Sequence, residues 1–184
     1  MIWISLGLIV LLTLFDQLSK WGVKLNPIFN GPNVSIVPNV LEFKYVENTG
    51  SAYGMLEGQM WFFYIITIIA LIGLGFLFSK IKNSRKVYAI SIALLMAGAL
   101  GNAIDRVNIN YVIDFIHFPF VAGIHPIFDF YCNLADVYLT FGIILFITDF
   151  IILDHFRKKQ KDKEYEKKEV SEREQNENNN NREY

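Results

Sequence analysis

The chain has 184 residues, of which 53% are hydrophobic, and its formal net charge at pH 7 is −1. Its 17 basic and 18 acidic residues nearly balance, which argues against a nucleic-acid partner. The single cysteine, Cys132, excludes an internal disulfide.

Two apolar stretches without charge are long enough to cross a bilayer. They cover residues 60–79 and 87–104, close to the roughly 20 residues that a hydrocarbon core requires. Two further apolar stretches contain charges, with Asp16 and Lys20 in the first and Asp149 in the last. We predict a mainly α membrane protein with four transmembrane helices, over about 2–23, 60–79, 87–105 and 136–154.

The first of these helices carries an acid and a base on one face. Asp16 precedes Lys20 by four residues, an order and spacing that suit an ion pair. The stretch lacks a basic n-region and a small-x-small cleavage site, so we predict a membrane helix rather than a secretory signal. The spacing favours a pair that neutralises itself near the interface; the alternative is a pair that braces a functional site.

A small β-cradle is predicted over about residues 33–58. Pro38 breaks helices there, and residues 41–46 alternate at period two, as a half-buried strand does. Asn48 begins a turn-rich stretch, and spacing alone favours a turn residue that bonds its own backbone.

The distribution of basic residues predicts the topology. Residues 80–86 contain four basic residues and no acid, and a basic run begins at Arg157. Short loops rich in Lys and Arg stay in the cytoplasm, so both termini are expected inside and the cradle outside. Residues 1–155 form the predicted membrane domain. Residues 156–184 are charged and Asn-rich, which predicts a disordered cytoplasmic tail.

Four acids lie in the predicted outer loop, about 106–133, and at its flanks: Asp105, Asp114, Asp129 and Asp136. Two carboxylates that share a site hold one proton near neutral pH, so one can act as base on water and the other as acid toward a carbonyl. Structural alternatives remain open. Asp136 fits the first turn of helix four with Asn133 as its cap, and Asp105 fits an ion pair with Arg106. Spacing does not say which two acids pair.

Other catalytic groups have weaker support. Cys132 shares the loop with His117 and His125, but no third orienting group is evident. No metal-ligand spacing such as His-Glu-x-x-His occurs, and no organic cofactor is indicated. We therefore expect neither a cysteine nucleophile nor a metal site.

Five motifs follow one another between about residues 10 and 150. They are Asp16-Gln17-Leu18-Ser19-Lys20, Asn48-x-Gly50-x-Ala52-x-Gly54, Gly101-Asn102-Ala103-Ile104-Asp105-Arg106, Val112-Ile113-Asp114-Phe115 and Asn133-Leu134-Ala135-Asp136. In this order they resemble the lipoprotein signal peptidase family, also called signal peptidase II. The resemblance implies an aspartic endopeptidase of the bacterial cytoplasmic membrane with four helices and an outer-face β-cradle. Such enzymes cut prolipoproteins just before a cysteine that carries diacylglycerol.

The resemblance also implies roles for individual residues. Asp114 and Asp136 match the catalytic pair, and Asp105 matches a supporting acid. The family positions that orient the substrate or the pair correspond here to Asn48, Asn102, Arg106 and Asn133. The family's structural polar positions correspond to Asp16 and Lys20. A monomer that works among membrane lipids on diacylglyceryl-prolipoproteins is expected, with its active site at the outer face.

The sequence departs from the family's pattern in places, and other functions are weighed against this interpretation. Residues 129–132 separate Pro126-Ile127-Phe128 from Asn133, where the family's motif is shorter, so the arrangement of loop 119–132 is expected to differ. Ser51 stands where alanine is common. The alternative function is a small proton- or ion-coupled transporter, which predicts acids through the depth of the bilayer. The uncharged stretches 60–79 and 87–104 favour the peptidase over the transporter.

Overall fold

The computed structural model describes residues 1–49, 60–119 and 130–151. This part contains four helices long and apolar enough to span a membrane: α1 (Ile2–Leu25), α2 (Met60–Ser79), α3 (Lys86–Ile109) and α4 (Leu134–Ile151). The predicted four-helix membrane fold is confirmed. Helices α1 and α3 run past their expected ends at residues 23 and 105. The expected ends stopped short of a charged residue, whereas the helices continue through Lys24 and Arg106.

The chain divides into two units. The first covers Met1–Phe146, and the second begins at Ile147, where residues 147–151 are described and helical. The predicted tail, 156–184, lies outside the described residues. So do Gly50, Ser51, Ala52, Gly54, His125 and Asp129.

A small antiparallel sheet accompanies the helices, as predicted. Its strands are β1 (Val34–Val37), β2 (Leu41–Asn48), β3 (Val112–His117) and β4 (Tyr131–Cys132), in that order across the sheet. Two of them come from residues 106–133, which were expected to form only a loop. Strand β3 is buried along its whole length, so its sequence is a continuous apolar run around Asp114 without the period-two signal.

Strand β2 contains an extra residue between Phe43 and Val46. Phe43 lies opposite Ile116 and Val46 opposite Asp114, so three steps along β2 match two along β3. A shift of one residue moves every later side chain to the other face of a strand. This bulge places Asn48 on the same face of the sheet as Asp114.

Helix α3 approaches α1 and α4 closely at two glycines. A Cβ on Gly101 would lie 2.5 Å from Asp16 Oδ2, and one on Gly98 would lie 2.5 Å from the carbonyl oxygen of Ala135. Side chains at these positions would push the helices apart. The glycines therefore allow polar residues of α1, α3 and the first turn of α4 to meet.

An apolar cluster packs the sheet against the end of α1. Val23 packs with Phe115 and Ile116 of β3, and the rings of Phe43 and Phe115 meet edge to face with centroids 5.5 Å apart. This packing fixes the position of β3, and with it Asp114.

Candidate active site

Asp114 on β3 and Asp136 in the first turn of α4 are linked by one residue, Asn133. The Asn133 side-chain amide donates to Asp114 Oδ1 at 2.6 Å. Its backbone N–H donates to Asp136 Oδ2 at 3.2 Å, and its Oδ1 accepts from the backbone N–H of Asp136 at 3.0 Å. The predicted cap of helix four by Asn133 is therefore confirmed. We call Asp114 and Asp136 the dyad.

Each carboxylate of the dyad accepts a further bond from a neutral amide. Asn48 Nδ2 donates to Asp114 Oδ2 at 2.7 Å, and Asn102 Nδ2 donates to Asp136 Oδ1 at 2.8 Å. The interpretation of Asn48 as a turn residue, which spacing favoured, is wrong. Asn48 ends strand β2, and the bulge turns it toward Asp114. Among the residues that the structure describes, the closest donors to both carboxylates are thus uncharged amides.

The two members of the dyad differ in exposure. Asp114 is 2% exposed, whereas Asp136 is partly exposed. Burial, and after it the negative charge of Asp136, raises the pKa of Asp114 to about 7, although the bonds from Asn48 and Asn133 act in the opposite direction. Near pH 7 about half of the Asp114 carboxyl groups therefore carry a proton.

A charged cluster lies behind the dyad and is centred on the ammonium group of Lys20. Lys20 Nζ lies 2.9 Å from Asp16 Oδ2, 3.0 Å from Asp105 Oδ2 and 2.9 Å from Asn102 Oδ1. Three acceptors match the three protons of an ammonium group. We call Lys20, Asp16 and Asp105 the Lys20 hub.

The Lys20 hub differs from the expected pairs. Asp16 and Lys20 do form the predicted ion pair, but both are 0% exposed, so the pair is not a neutralised couple open to water. Asp105 pairs with Lys20, and the alternative that it pairs with Arg106 is wrong. Gln17, which spacing did not single out, donates to Asp105 Oδ1 at 2.9 Å and to the Gly101 carbonyl at 3.0 Å. Its only sequence signal was its place in the first motif.

The hub holds the backbone on which each dyad member sits. Asp16 Oδ1 accepts from the N–H of Ala135, which immediately precedes Asp136, at 2.9 Å. Asp105 Oδ2 accepts from the N–H of Ile113, which immediately precedes Asp114, at 3.1 Å. The arrangement favours the alternative that Asp16 and Lys20 brace a site.

Arg106 borders the dyad from α3. The charge of its guanidinium interacts most strongly with Asp136, then with Asp105 and then with Asp114. Its Nη1 donates to the Asn102 carbonyl at 3.4 Å, a long bond, and its Cζ lies 5.3 Å from the centroid of the Phe63 ring. Within the described ranges, its buried Nε has no hydrogen-bond partner.

The alternative nucleophile, Cys132, is poorly suited to catalysis. Burial, then the charges of Asp136 and Asp114, raises the pKa of its thiol to about 12, so the reactive thiolate is scarce at neutral pH. His117 bonds Glu42 at 3.2 Å and stacks on Tyr131. Among the described residues, no group of three His, Cys, Asp or Glu side chains is placed to hold a metal ion.

Comparison with known proteins identifies relatives over most of the chain. The family described as signal peptidase (SPase) II matches residues 8–152. A lipoprotein signal peptidase of Latilactobacillus sakei is 44% identical over 144 residues, which are 78% of this chain and 89% of that protein. One from Lactiplantibacillus plantarum is 40% identical over 156 residues, covering 85% and 99% of the two chains.

Solved structures of bacterial membrane enzymes share the fold. One is 36% identical, with a TM-score of 0.68 over 80% of this chain and 87% of that one. Another is 39% identical, with a TM-score of 0.66 over 78% and 90% of the two chains.

Proposed function

Because the chain belongs to the signal peptidase II family, and is thus a multi-pass bacterial membrane protein that removes signal peptides from lipoproteins, we propose an aspartic mechanism for it. In this proposal the enzyme cuts diacylglyceryl-modified prolipoproteins on the amino side of the lipidated cysteine. The dyad is the observation that carries the proposal. Asp114 and Asp136 share Asn133, have neutral amide donors and differ in exposure.

The two carboxyl groups take different roles in the reaction. Asp136, which is partly exposed, accepts a proton from water as the water oxygen attacks the scissile carbonyl carbon. Asp114, which carries the proton, donates it to the carbonyl oxygen. Collapse of the tetrahedral intermediate returns that proton to Asp114 and passes the other from Asp136 to the leaving amine. One water is consumed, and the dyad regains its starting protonation.

Arg106 and Asn48 are the proposed substrate contacts beside the dyad. A guanidinium fork suits carbonyl and phosphate oxygens, so Arg106 can hold the substrate backbone or a lipid headgroup. The signal helix enters laterally among the membrane helices, and the acyl chains stay in the bilayer. Asn133 and Asn102 orient the dyad, while Asp105, Asp16 and Lys20 support it.

The proposed topology places the dyad at the outer face of the cytoplasmic membrane. The basic residues 80–86 lie between the far ends of α2 and α3 and face the cytoplasm by the positive-inside rule. Both termini are then cytoplasmic, and the enzyme acts as a monomer among lipids.

A gel-shift cleavage assay tests the proposal. The purified protein in detergent receives a diacylglyceryl-modified prolipoprotein, and the same prolipoprotein without lipid serves as the comparison substrate. The wild type should cleave only the lipidated form. Asp114→Asn and Asp136→Asn should each lose on the order of 10³-fold in rate, because either change removes one half of the acid–base pair.

The matched control is Glu42→Gln, a neutralised carboxylate on the neighbouring strand β2 that bonds Asn33 and His117 and not the dyad. It should cleave at a rate close to the wild type. Unchanged cleavage by a folded Asp114→Asn protein would contradict the assignment of Asp114 and Asp136 as the catalytic pair.

A further inference from the structure

The start of helix α2 packs against Arg106. The ring of Phe63 lies under the guanidinium, with Cζ 5.3 Å from the ring centroid, within the range of a cation–π interaction. Phe63 is itself partly buried. None of the five sequence motifs includes Phe63 or its neighbour Tyr64.

Tyr64 fixes this contact. Its hydroxyl donates to the carbonyl oxygen of Arg106 at 2.6 Å and lies 3.1 Å from Asn110 Oδ1. Asn110, the residue after α3, caps the helix in a left-handed conformation, and its N–H donates to the same Arg106 carbonyl. A hydrogen bond therefore joins the start of α2 to the last turn of α3 at Arg106, whose side chain packs on Phe63.

The neighbours of the Arg106 guanidinium hold it in place but do not accept hydrogen bonds from all of its donors. Its long bond to the Asn102 carbonyl satisfies one donor, and its Nε–H is the one buried side-chain donor or acceptor without a partner among the described residues. A buried donor without an acceptor is costly, so such a group calls for an explanation. A flat ring beneath a guanidinium leaves the donors at its edge free for another acceptor.

We propose that Phe63 is a positioning residue for substrate binding. Its ring holds the Arg106 guanidinium so that the unpartnered donors meet a backbone carbonyl oxygen of the substrate beside the dyad. The inference rests on the proposed function, since it names how that substrate is oriented. The hydrogen bond from Tyr64 to the Arg106 carbonyl keeps the Phe63 ring against the guanidinium.

The test compares variants of two phenylalanines on the same helix. Phe63→Leu removes the aromatic face and keeps an apolar side chain, and Phe63→Trp keeps the face. The matched control is Phe76→Leu, since Phe76 supports Lys80 in a similar cation–π contact at the other end of α2. The measurements are KM and kcat on the diacylglyceryl-prolipoprotein, together with thermal unfolding of each protein.

Phe63→Leu should raise KM about three- to tenfold with little change in kcat, because the contact orients bound substrate. Phe63→Trp should restore KM, and Phe76→Leu should leave both constants unchanged. In an Arg106→Gln background, Phe63→Leu should have no further effect on KM, since the guanidinium it supports is gone.

Two results would overturn this inference without affecting the proposed function. An equal rise in KM from Phe63→Leu with and without Arg106 would show that Phe63 acts by another route. A loss of thermal stability with unchanged KM would show a packing role alone. If the folded wild type does not cleave the lipidated substrate, the proposed function itself fails, and this inference with it.

Discussion

Two neighbouring clusters of carboxylates have opposite electrostatic environments. In the Lys20 hub, Asp16 and Asp105 lie within 3.0 Å of one buried ammonium group. In the dyad, Asp114 and Asp136 accept hydrogen bonds from the neutral amides of Asn48, Asn133 and Asn102. Asn102 connects the two clusters, since it accepts from Lys20 and donates to Asp136.

The difference separates a support from a reactive centre. The two hub carboxylates are held by ion pairs to one buried ammonium group, and they hold their own neighbours in place through hydrogen bonds. A buried carboxyl with neutral donors keeps its proton to a higher pH, and Asp114 does so to about 7. The hub therefore fixes the backbone at Ile113 and Ala135, and the dyad keeps a proton that chemistry can use.

The largest expected effect of breaking the hub is on stability. Lys20→Met leaves Asp16 and Asp105 buried without a cation, which costs roughly 3–5 kcal/mol of folding free energy. Thermal unfolding in detergent should show a large fall in Tm, with little folded protein recovered. Lys24→Met, the same change one turn further along α1, removes a bond to Tyr111 and should lower Tm only slightly. Equal Tm values for the two variants would contradict the role of the hub.

A smaller effect is expected from weakening the dyad's amide donors. The wild-type rate should fall as pH rises through about 7, because Asp114 then loses the proton that it donates to the substrate. The Asn48 amide stabilises the ionised form of Asp114, so Asn48→Ala should raise the pKa of Asp114. The upper limb of the pH–rate profile should then move to higher pH, with a reduced maximal rate. A limb that moves to lower pH would contradict this sign.

The sequence predicted those parts of the molecule that depend on local spacing. Uncharged runs located α2 and α3, the four-residue spacing predicted the Asp16–Lys20 pair, and the position of Asn133 before Asp136 predicted the cap. Each of these rests on contacts within one element or its adjoining residues. The choice of Asp114 and Asp136 as the catalytic pair came from the family resemblance and remains a proposal.

The parts that sequence reasoning missed depend on contacts between distant segments. Asn48 reaches Asp114 only because β2 gains one residue in a bulge, which no period-two pattern shows. Asp105 meets Lys20 instead of its neighbour Arg106 because glycines at 98 and 101 bring α3 close to α1 and α4. Phe63 and Tyr64 lie in a uniformly apolar helix, where nothing in the sequence marks one ring from another.

The location of the proton tests this account most directly. Infrared spectroscopy of the purified enzyme reads the carbonyl stretch of a protonated carboxyl group. At about pH 6 the wild type should show such a band, which should disappear as pH rises to about 8 and be missing from Asp114→Asn at both values. The band should persist in Glu42→Gln, which neutralises a carboxylate that bonds Asn33 and His117 and not the dyad. A band that survives in Asp114→Asn would place the proton elsewhere and contradict the assigned roles.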